Sequence, residues 1–425
     1  MSHPTFSIIT PSNNLDWLTK AAKSVFGQIE QDWEWIVLIN GPIVENPDQV
    51  KTLLGGDQRL RVIKFGSTGN IGSLKKCACM CANGTYIVEF DHDDELSVDC
   101  LVELRTAFER PRKPVFVFSD CVSVNSQGLP YVFGSSYGWK YTPATFNGPG
   151  GVEQCQVPVC PELLPQNIAN VYHAPNHVRS WRRDIYNRAG GHSESLEVCD
   201  DLDLMCRLYL HGKFEYVHKA LYKYRVHTDN TWRKNQDKID KLNLEIYDRY
   251  VEHLALVYSR GNSLGAYDLG GGINSPAGWT SVDKHSANII ADLSIKWPFD
   301  NNSVGALRSQ DFIEHIKDHI HVMNEAYRVL THGGLFLIDV PSTDGRGAFQ
   351  DPSHVSFWNS NSAWYYTKLE TQKYIKHLGV NCRFQQVRLL DHFPSEWHRT
   401  HNILYTKMHL AAIKDGPRLH GLIEI

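Results

Sequence analysis

The segment Tyr86-Ile87-Val88-Glu89-Phe90 is followed at once by Asp91-His92-Asp93-Asp94, so a largely apolar run ends in a cluster of acids. The run predicts a β-strand, and open parallel sheets bind ligands beyond the carboxyl ends of their strands. Neighbouring carboxylates raise one another's pKa unless a cation neutralises them. A divalent ion with oxygen ligands does this and can bridge to a diphosphate. Taken alone, the cluster is equally typical of an Asp-rich turn that leads into a helix.

Short β-branched or aromatic runs alternate with helical patterns around this segment. The predicted strands are Thr5–Thr10, Glu34–Ile39, Leu60–Phe65, Tyr86–Phe90 and Val115–Ser119, and the predicted helices are Leu15–Gln28, Ile71–Asn83 and Ser97–Glu109. This alternation predicts a mostly parallel sheet covered on both faces. Ser97 is expected to be the N-cap of its helix. Between Tyr131 and Asn176 the periodicity fails, which favours a functional loop or lid.

A second strand–helix series begins after a long polar helix predicted from about Asn235 to Tyr258. We place a domain boundary there, which gives an N-terminal domain over residues 1–258 and a C-terminal domain over residues 259–425. A length of 425 residues also favours two domains, because it is too long for one core of typical size. The predicted fold class is α/β, with two Rossmann-like domains.

The composition is that of a soluble globular protein, with 42% hydrophobic and 21% charged residues. A formal net charge of -4 lacks the basic character that DNA or RNA binding needs. No apolar run is long enough to span a bilayer, and Met1-Ser2-His3-Pro4 lacks the features of a signal peptide. The ten cysteines are expected to be free thiols, with Cys77, Cys79 and Cys81 as small helix residues rather than zinc ligands. These features predict a cytoplasmic protein.

Three further features favour a metal–diphosphate site over an ordinary turn. Asn70-Ile71-Gly72 opens the helix before the strand and brings Lys75 and Lys76 within reach of a phosphate, although solvated helix charges are the alternative for both lysines. Asp200-Asp201 leads into another helix. His227 ends the strand-like run that begins at Tyr224, and a neutral imidazole there could complete a metal shell.

Residues 1 to about 230 resemble family 2 glycosyltransferases of the GT-A fold, which bind nucleotide-sugar donors. The matching landmarks follow the family's order: Phe6-Ser7-Ile8-Ile9-Thr10-Pro11, Asn70–Gly72, Asn83-Gly84-Thr85-Tyr86-Ile87, the acidic cluster, Asp200-Asp201 and His227. The resemblance implies inverting transfer by direct displacement. It also implies that Mn²⁺ or Mg²⁺ stabilises the departing nucleoside diphosphate.

The same resemblance implies roles for single residues. Asp91 and Asp93 fall on the metal-binding DXD positions, and His227 falls on a common third metal ligand. Asp201 falls on the general base that deprotonates the acceptor hydroxyl. The residues expected to bind the donor or the acceptor are Thr10, Pro11, Asn40, Asn70, Gly72, Lys75, Asp91 and Asp200.

Asn40 departs from the family's pattern, which usually has an Asp after the second strand to hold the nucleotide base. An amide offers both a donor and an acceptor, whereas a carboxylate only accepts. Donors that carry uridine, thymidine or guanosine therefore all stay open. A turn residue before Gly41-Pro42 is the alternative role for Asn40.

In the C-terminal domain, Leu264–Leu269 predicts a strand that ends in Gly270-Gly271-Gly272. Glycines there let the backbone approach a ligand and adopt positive φ. Asp283 ends the next strand-like run, Trp279–Val282, where an acid can accept both hydroxyls of a ribose. This pattern fits any cofactor that contains a nucleoside.

Residues 262 to about 415 are similar to class I S-adenosylmethionine-dependent methyltransferases. The similarity rests on the glycine turn, on Asp283 and on the later segments Ile290–Leu293, Trp297–Val304, Glu314-His315, Met323–Leu330 and Gly333-Gly334. It implies that Asp268, Gly270 and Gly272 form the cofactor glycine motif. It further implies that Asp283 binds the ribose and that Asp292 lies near the adenine. The connection 273–278 is too short for the usual helix, as in a compact subgroup of phage and bacterial sequences.

Methyl transfer to a hydroxyl needs alignment of the reactants and a base. His354 is the candidate base, with Asp351 beside it, because both follow the predicted strand Leu335–Val340. A structural histidine that holds the loop is the alternative for His354. The aromatic run from Phe357 to Tyr366 is either a surface that stacks on a sugar or part of the core.

Two such domains on one chain predict a bifunctional glycan-modifying enzyme. One domain would transfer a sugar in a metal-dependent, inverting reaction, and the other would O-methylate a sugar hydroxyl with S-adenosyl-L-methionine. The expected partners are a nucleotide-sugar donor and a glycan or glycoconjugate acceptor, with no nucleic acid. The alternative is a glycosyltransferase whose methyltransferase-like domain is inactive and serves as an acceptor-binding or interaction module.

Overall fold

The computed structural model describes residues 3–41, 43, 45–66, 70–133, 139–170 and 175–414. The chain divides into two compact units, Met1–Val251 and Glu252–Ile425. The division falls inside the helix Gln236–Gly261, at Val251 rather than at Tyr258. Within the described residues, no helix combines the length and the apolar character that a membrane crossing requires. All ten cysteines lie in this described part of the chain and are free thiols.

The N-terminal unit alternates strands and helices along its length. Its strands are β1 Phe6–Ser12, β2 Trp33–Ile39, β3 Leu60–Lys64, β4 Tyr86–Glu89, β5 Glu95–Leu96, β6 Phe116–Asn125, β7 Tyr141–Gly148, β8 Gly151–Pro158, β9 Arg179–Arg182 and β10 Phe214–Val226. Its helices are α1 Leu15–Phe26, α2 Pro47–Leu53, α3 Ile71–Met80, α4 Cys100–Phe108, α5 Pro165–Asn170, α6 Arg183–Arg188, α7 Asp200–Tyr209, α8 Thr231–Lys234 and α9 Gln236–Gly261.

One mixed sheet organises this unit, in the order β3-β2-β1-β4-β9-β6-β10-β7-β8, with β5 also paired to β10. The strands β3, β2, β1 and β4 are parallel to one another, whereas β9 lies antiparallel between β4 and β6. β1 and β2 are buried along nearly their whole length, as expected for parallel strands covered on both faces. The main core packs Trp35, Phe90 and Phe108 together with α1 and α4. The predicted α/β fold is confirmed.

Two local predictions for this unit are wrong. Helix α4 begins at Cys100 with Asp99, not Ser97, at the N-cap position. The Ser97 hydroxyl instead donates to the Asp99 carboxylate over 2.6 Å, so it has no amide of the helix as its partner.

The second correction concerns the segment expected to be an irregular loop. It contains the antiparallel hairpin of β7 and β8, closed at Gly148 and Gly151, and then helix α5. Most of β8 is exposed, so its residues show no alternation of apolar and polar positions. Residues 134–138 and 171–174 of this segment lie outside the described residues.

The C-terminal unit has a second sheet, in the order β13-β12-β11-β14-β15-β17-β16. Its strands are β11 Gly265–Leu269, β12 Thr280–Asp283, β13 Ile289–Ile290, β14 Val304–Gln310, β15 Leu330–Pro341, β16 Phe384–His392 and β17 Tyr405–Ala412. Its helices are α10 His319–Val329, α11 Gly347–Gln350, α12 Trp364–Thr367, α13 Leu369–Gln372 and α14 Glu396–Thr400, with 3-10 segments at Ile313–His315, Ser360–Ala363 and Lys376–Leu378.

The strands β11 to β15 run parallel, and β17 pairs antiparallel with both β15 and β16. The connection from β11 to β12 contains no helix, in agreement with its predicted shortness. A core of its own, with Trp297, Phe336 and Trp358 among its members, stabilises this unit. The carboxyl ends of β11, β14 and β15 therefore share one edge of the sheet.

Gly84 offers a test of the close approach between β1 and the segment that enters β4. A Cβ at Gly84 would lie 2.5 Å from the backbone nitrogen of Ser7 and 2.7 Å from the carbonyl carbon of Phe6. Since these atoms are backbone, we expect Gly84→Ala to lower the free energy of unfolding of the N-terminal unit by about 1–3 kcal/mol. Urea denaturation followed by tryptophan fluorescence measures this change. Gly150→Ala is the matched control, because a Cβ at Gly150 meets open space; equal losses in both variants would contradict the close approach.

Candidate functional site

A cavity of ≈ 660 Å³ opens at the carboxyl ends of β1, β2 and β4 in the N-terminal unit. It brings together most of the site residues that the sequence predicts for this unit. Those in its lining are Pro11, Asn40, Lys75, Asp91, Asp93, Asp200, Asp201 and His227. Residues far apart in sequence therefore face one volume large enough for a nucleotide-sized ligand.

His227 is held in a fixed orientation beside Asp93. Its Nε2 lies 2.7 Å from Oδ2 of Asp93, and its Nδ1 accepts the backbone N–H of Asp229 over 3.1 Å. The ring of Trp17 stacks on the imidazole at 5.5 Å between centroids. Because Nδ1 is an acceptor, the proton of the neutral ring lies on Nε2 and is donated to Asp93. Metal binding through Nε2 would have to displace that proton.

The Asp91 carboxyl is the second acid that a cation would neutralise. Burial raises its pKa, and although Lys75 opposes this rise, the nearby carboxylates of Glu89 and Asp93 add to it. Mg²⁺ and Mn²⁺ are held in such sites by one or two carboxylates together with substrate phosphate oxygens. Asp91 and Asp93 supply that donor set, so the residues fit a divalent ion that is completed by a diphosphate.

Asp94, the last acid of the cluster, has a different surrounding. One of its carboxylate oxygens accepts the hydroxyl of Tyr222 and the other accepts the backbone N–H of Arg225, both over 2.7 Å. Tyr222 also accepts the backbone N–H of Asp91 over 3.1 Å. Asp94 thus fixes the acidic turn to β10 and is 1% exposed.

Asp201 lies at the start of α7 and is paired with a buried arginine. Nη1 of Arg179 is 2.5 Å from Oδ2 of Asp201, and the backbone N–H of Leu202 donates to Oδ1 over 2.8 Å. Burial alone would raise the pKa of Asp201, but Arg179 and Lys75 hold this pKa well below its usual range. The carboxylate is therefore ionised and held in one orientation toward the cavity.

Behind the cavity lies a group of buried charges that sequence reasoning missed in part. Lys75 is 7% exposed and contacts Glu89, and its Nζ is 3.8 Å from Oδ2 of Asp200. Glu89 also lies 3.9 Å from Nη1 of Arg179. Burial opposes ionisation of Glu89, but Lys75 and Arg179 lower its pKa. The burial of Lys75 contradicts the alternative of a solvated helix charge, and contact with a phosphate stays a prediction. The sequence feature that could have predicted these buried charges is Glu89, a charged residue inside an otherwise apolar strand.

Asp200 is as deeply buried as Glu89, since each residue is 3% exposed. Its pKa is raised because of burial, with Lys75 opposing the rise and the carboxylates of Asp201 and Glu89 adding to it. The ring nitrogen Nε2 of His192 lies 3.8 Å from Oδ2 of Asp200. Burial lowers the pKa of His192 to about 3, so this neighbour is a neutral imidazole.

Three of the predicted ligand-binding residues lie outside the lining of the cavity. Oγ1 of Thr10 accepts the indole N–H of Trp35 over 3.0 Å inside the core. Asn70 caps α3 and donates to the carbonyl of Glu194 over 2.6 Å. A Cβ at Gly72 would lie 2.3 Å from the carbonyl oxygen of Ser193. Asn70 and Gly72 thus hold the segment before α7 against α3, which supports a positioning role rather than direct ligand contact.

A second cavity, of ≈ 380 Å³, shares seven lining residues with the first, among them Arg179, Asp201, Tyr224 and Trp232. Its remaining wall includes the aromatic side chains of Tyr131, Phe133 and Trp139. Asp201 therefore faces both a polar cavity rich in acids and a more apolar cavity rich in aromatic rings. This arrangement suits a base between two substrates.

In the C-terminal unit, the glycine turn after β11 is tightly packed. A Cβ at Gly270 would lie 2.1 Å from the ring of Phe312, and Gly270 and Gly272 have φ of +73° and +50°. The Asp283 carboxylate is 3.8 Å from the position that a Cβ of Gly272 would take. The structure thus brings the predicted glycine motif and the predicted ribose-binding acid together.

The two other acids predicted to bind the cofactor are engaged with protein groups. Asp268 is 1% exposed and accepts Nη1 of Arg308 over 2.9 Å. Asp292 accepts the backbone N–H of Ser294 over 2.9 Å and lies 3.1 Å from Nζ of Lys284. Hydrogen bonds from Ser294 lower the pKa of Asp292 to about 2. These contacts support a positioning role for both acids.

His354 lies in the loop after β15, as expected. Its Nδ1 donates to the carbonyl of Ala348 over 3.1 Å, so the lone pair of the neutral ring lies on Nε2. That nitrogen is 3.9 Å from both Glu314 and Asp351. The aromatic run is divided, since Trp358 and Tyr366 lie in the core and Phe357 and Tyr365 are exposed.

Each of the two α/β units places acids beyond the carboxyl ends of parallel strands, which is the arrangement of ligand-binding α/β domains. The family model described as glycosyl transferase family 2 matches residues 7–149, and the model described as methyltransferase domain matches residues 277–338. The chain therefore carries an N-terminal family 2 glycosyltransferase domain and a C-terminal methyltransferase domain. The first match ends before Asp201 and His227, and the second starts after Gly272 and ends before His354.

Among curated proteins, the chain is 24% identical over 235 residues to chondroitin synthase of Pasteurella multocida (strain Pm70), and 23% identical over 249 residues to hyaluronan synthase of Pasteurella multocida. The matches cover 55% and 58% of this chain, but only 22% of each relative. The chain thus spans about a fifth of the length of these relatives.

Solved structures similar to the chain include S. aureus TarS 1-349 in complex with UDP-GlcNAc, at a TM-score of 0.44 and 16% identity over 61% of this chain and 73% of that chain. The mannosyltransferase PcManGT from Pyrobaculum calidifontis, in complex with GDP-Man and Mn²⁺, matches at a TM-score of 0.40 and 13% identity, over 63% of this chain and 77% of that chain.

The pair of Arg179 and Asp201 makes a prediction about protonation. In the folded protein the pKa of Asp201 is lowered, so its carboxylate is ionised above its ordinary pKa and takes up a proton only at more acidic pH. Arg179→Gln removes the main opposing charge, so burial should then raise the pKa of Asp201 and move its protonation to higher pH. Carbon NMR titration of labelled aspartates, with Asp201→Asn for assignment, measures this shift. Arg182→Gln is the control, because Arg182 pairs with the exposed Asp184 instead; an equal titration of Asp201 in both variants would rule out the proposed control by Arg179.

Proposed function

We propose that this chain is a bifunctional glycan-modifying enzyme. Its N-terminal domain would transfer a sugar from a nucleotide-sugar donor with inversion, in a reaction that depends on Mn²⁺ or Mg²⁺. Its C-terminal domain would methylate a sugar hydroxyl with S-adenosyl-L-methionine. The observation that carries the first activity is the cavity that combines Asn40, Asp91, Asp93, Asp201 and His227.

In this proposal the two ends of the cavity hold different parts of the donor. The nucleoside lies toward Pro11 and Asn40, which line the cavity after β1 and β2. The diphosphate lies toward Asp91, Asp93 and His227, where a divalent ion would supply the positive charge that offsets the leaving group. Lys75, which also lines the cavity, adds fixed positive charge beneath it.

The acceptor hydroxyl attacks the anomeric carbon from the side opposite the diphosphate, and its proton passes to Asp201. An ionised carboxylate suits this step because the hydroxyl becomes acidic only as the bond to carbon forms in the transition state. Arg179 keeps that carboxylate ionised and oriented. The aromatic walls of the second cavity, which also includes Asp201, offer a stacking surface for an acceptor sugar. The names of the relatives, chondroitin synthase and hyaluronan synthase, support a polysaccharide acceptor.

If the N-terminal site transfers a sugar, different substitutions should remove sugar transfer and donor binding separately. Asp201→Asn should keep the rise in melting temperature that UDP, GDP or TDP gives with Mn²⁺, because Asp201 is placed on the acceptor side. Its sugar transfer should fall at least about 100-fold, as expected when a general base is lost. Asp93→Asn should instead lose the metal-dependent rise with every nucleotide. Thermal shift assays and donor-turnover assays measure the two effects.

Lys76→Ala serves as the control for these variants, since Lys76 pairs with the exposed Glu194 and lies outside the cavity lining. It should retain both nucleotide stabilisation and transfer. A wild-type protein that responds to no nucleotide in the presence of Mn²⁺ would refute the assignment of the N-terminal site.

For the second activity, the glycine turn and Asp283 would bind the cofactor, and the free Nε2 of His354 would receive the proton of the acceptor hydroxyl. The hydrogen bond from Nδ1 to Ala348 places the lone pair of the neutral ring on that nitrogen and fixes the ring. Phe349 and Phe357 stack on each other near this loop at 5.3 Å between centroids and are exposed. They offer an apolar surface for a sugar acceptor beside the proposed base.

Asp283→Ala tests whether the two sites are separate. We expect it to abolish the thermal stabilisation by S-adenosylhomocysteine, because the ribose hydroxyls lose their acceptor, while sugar transfer stays unchanged. Asp300→Ala, which removes an exposed acid elsewhere in the same unit, should leave both properties intact. A wild-type protein that is not stabilised by S-adenosylhomocysteine would favour the alternative, in which the C-terminal domain serves as an acceptor-binding or interaction module.

A further inference from the structure

Glu314 is an unusual buried acid in the C-terminal unit. Its residue is 2% exposed, and neither oxygen of its carboxylate has a hydrogen-bond partner. Burial raises its pKa to about 8 although the backbone N–H of Glu314 itself opposes the rise, and the nearby acids Asp311 and Asp351 add to it. A buried carboxyl group without a hydrogen-bond partner destabilises the folded state whether or not it is protonated. We therefore expect a ligand to bind at Glu314.

Two histidines lie where such a ligand would bind. One ligand atom each from Glu314, His315 and His354 lie within 4.8 Å of one another, and within the described residues this is the one such group of His, Cys, Asp or Glu. The carboxylate oxygen Oε1 of Glu314 is 3.9 Å from Nε2 of His354. The three side chains thus converge on one point without direct hydrogen bonds among them.

Both imidazoles are already oriented by backbone carbonyls. Nδ1 of His354 donates to Ala348 over 3.1 Å, and Nδ1 of His315 donates to Ser353 over 3.2 Å. Each neutral ring therefore has its lone pair on Nε2, the usual way in which a second hydrogen bond prepares a metal-binding histidine. The loops themselves are tied together, because the carbonyl of Glu314 accepts the backbone N–H groups of Val355 and Ser356.

We propose that Glu314, His315 and His354 form a binding site for a divalent transition-metal ion of the Zn²⁺ or Mn²⁺ kind. Two imidazoles and one carboxylate favour such ions over Mg²⁺ or Ca²⁺, which prefer oxygen ligands alone. Asp351, whose Oδ2 is also 3.9 Å from Nε2 of His354, is near enough to be a fourth donor. Three or four protein ligands leave coordination positions open for a substrate oxygen.

The position of the site gives it a role in the proposed methyl transfer. Glu314 follows β14, His354 follows β15, and Phe312 packs against Gly270 of the glycine turn after β11. The ion would thus lie at the same sheet edge as the expected cofactor, where it would bind the acceptor hydroxyl and lower its pKa. This role rests on the proposed function, whereas metal binding itself does not. It would make His354 a metal ligand instead of the base, and the hydroxyl made acidic by the ion would release its proton to solvent water as the methyl group leaves the sulfur.

The test uses the full chain, freed of metal with a chelator, in an Asp91→Asn/Asp93→Asn background that removes the acids of the N-terminal site. Titration with Co²⁺ should produce the visible absorption of an ion bound by imidazoles. Adding Glu314→Gln or His354→Ala should weaken this binding at least about tenfold, as loss of a ligand requires. His377→Ala, an exposed histidine elsewhere in the unit, is the matched control and should change nothing.

Melting temperatures separate ligand loss from misfolding. In chelator, Glu314→Gln should melt at or above the wild-type temperature, because it removes an unpartnered buried carboxylate. With Zn²⁺ added, the wild type should rise and Glu314→Gln should not. Absence of the Co²⁺ absorption in the background variant, or its persistence in both ligand variants, would overturn the metal site. Stabilisation by S-adenosylhomocysteine without metal would still support the proposed cofactor site in either case.

Discussion

The N-terminal site depends on a set of buried charges beneath its cavity. Glu89 on β4 lies between Lys75 on α3 and Arg179 on β9, and Arg179 in turn holds Asp201 on α7. A buried charge without a partner is strongly destabilising, so removal of any member would leave the others uncompensated. The positions of these elements are therefore tied to one another by charge pairing. The acids that face the cavity are consequently oriented before any ligand binds.

The acids of the turn after β4 have two different roles, one structural and one at the cavity. Asp94 is bonded to β10 through Tyr222 and Arg225, so it fixes the turn. Asp91 and Asp93 are then left facing the cavity, and Asp93 contacts His227 at the end of the same β10. In the C-terminal unit, Oδ1 of the buried Asp268 accepts Arg308 and its Oδ2 has no hydrogen-bond partner, whereas both oxygens of Glu314 lack one. A buried carboxylate with neither oxygen hydrogen-bonded thus differs from one that a protein cation holds.

Much of the fold could be predicted because its strands are continuous apolar runs separated by helical patterns. Each of the five strands predicted in the N-terminal unit is present, although β6 continues to Asn125 instead of ending at Ser119. The hairpin of β7 and β8 was missed, since exposed strands lack the alternation that marks a buried face. The start of α4 was misplaced because both Ser97 and Asp99 are residue types that cap helices. In the structure the Ser97 hydroxyl donates to Asp99, so it does not cap the helix.

The sequence by itself determined the succession of α/β elements, the glycine turn and the placement of Asp91, Asp93 and Asp283 after strands, because these are local patterns of hydrophobicity and chain geometry. Tertiary structure alone decided which charges meet. Arg179 lies 22 residues from Asp201 in sequence, and Glu314 reaches His354 only across two loops of the folded sheet. The ionisation of each acid follows from such distant neighbours and from burial, neither of which is encoded in the residues beside it.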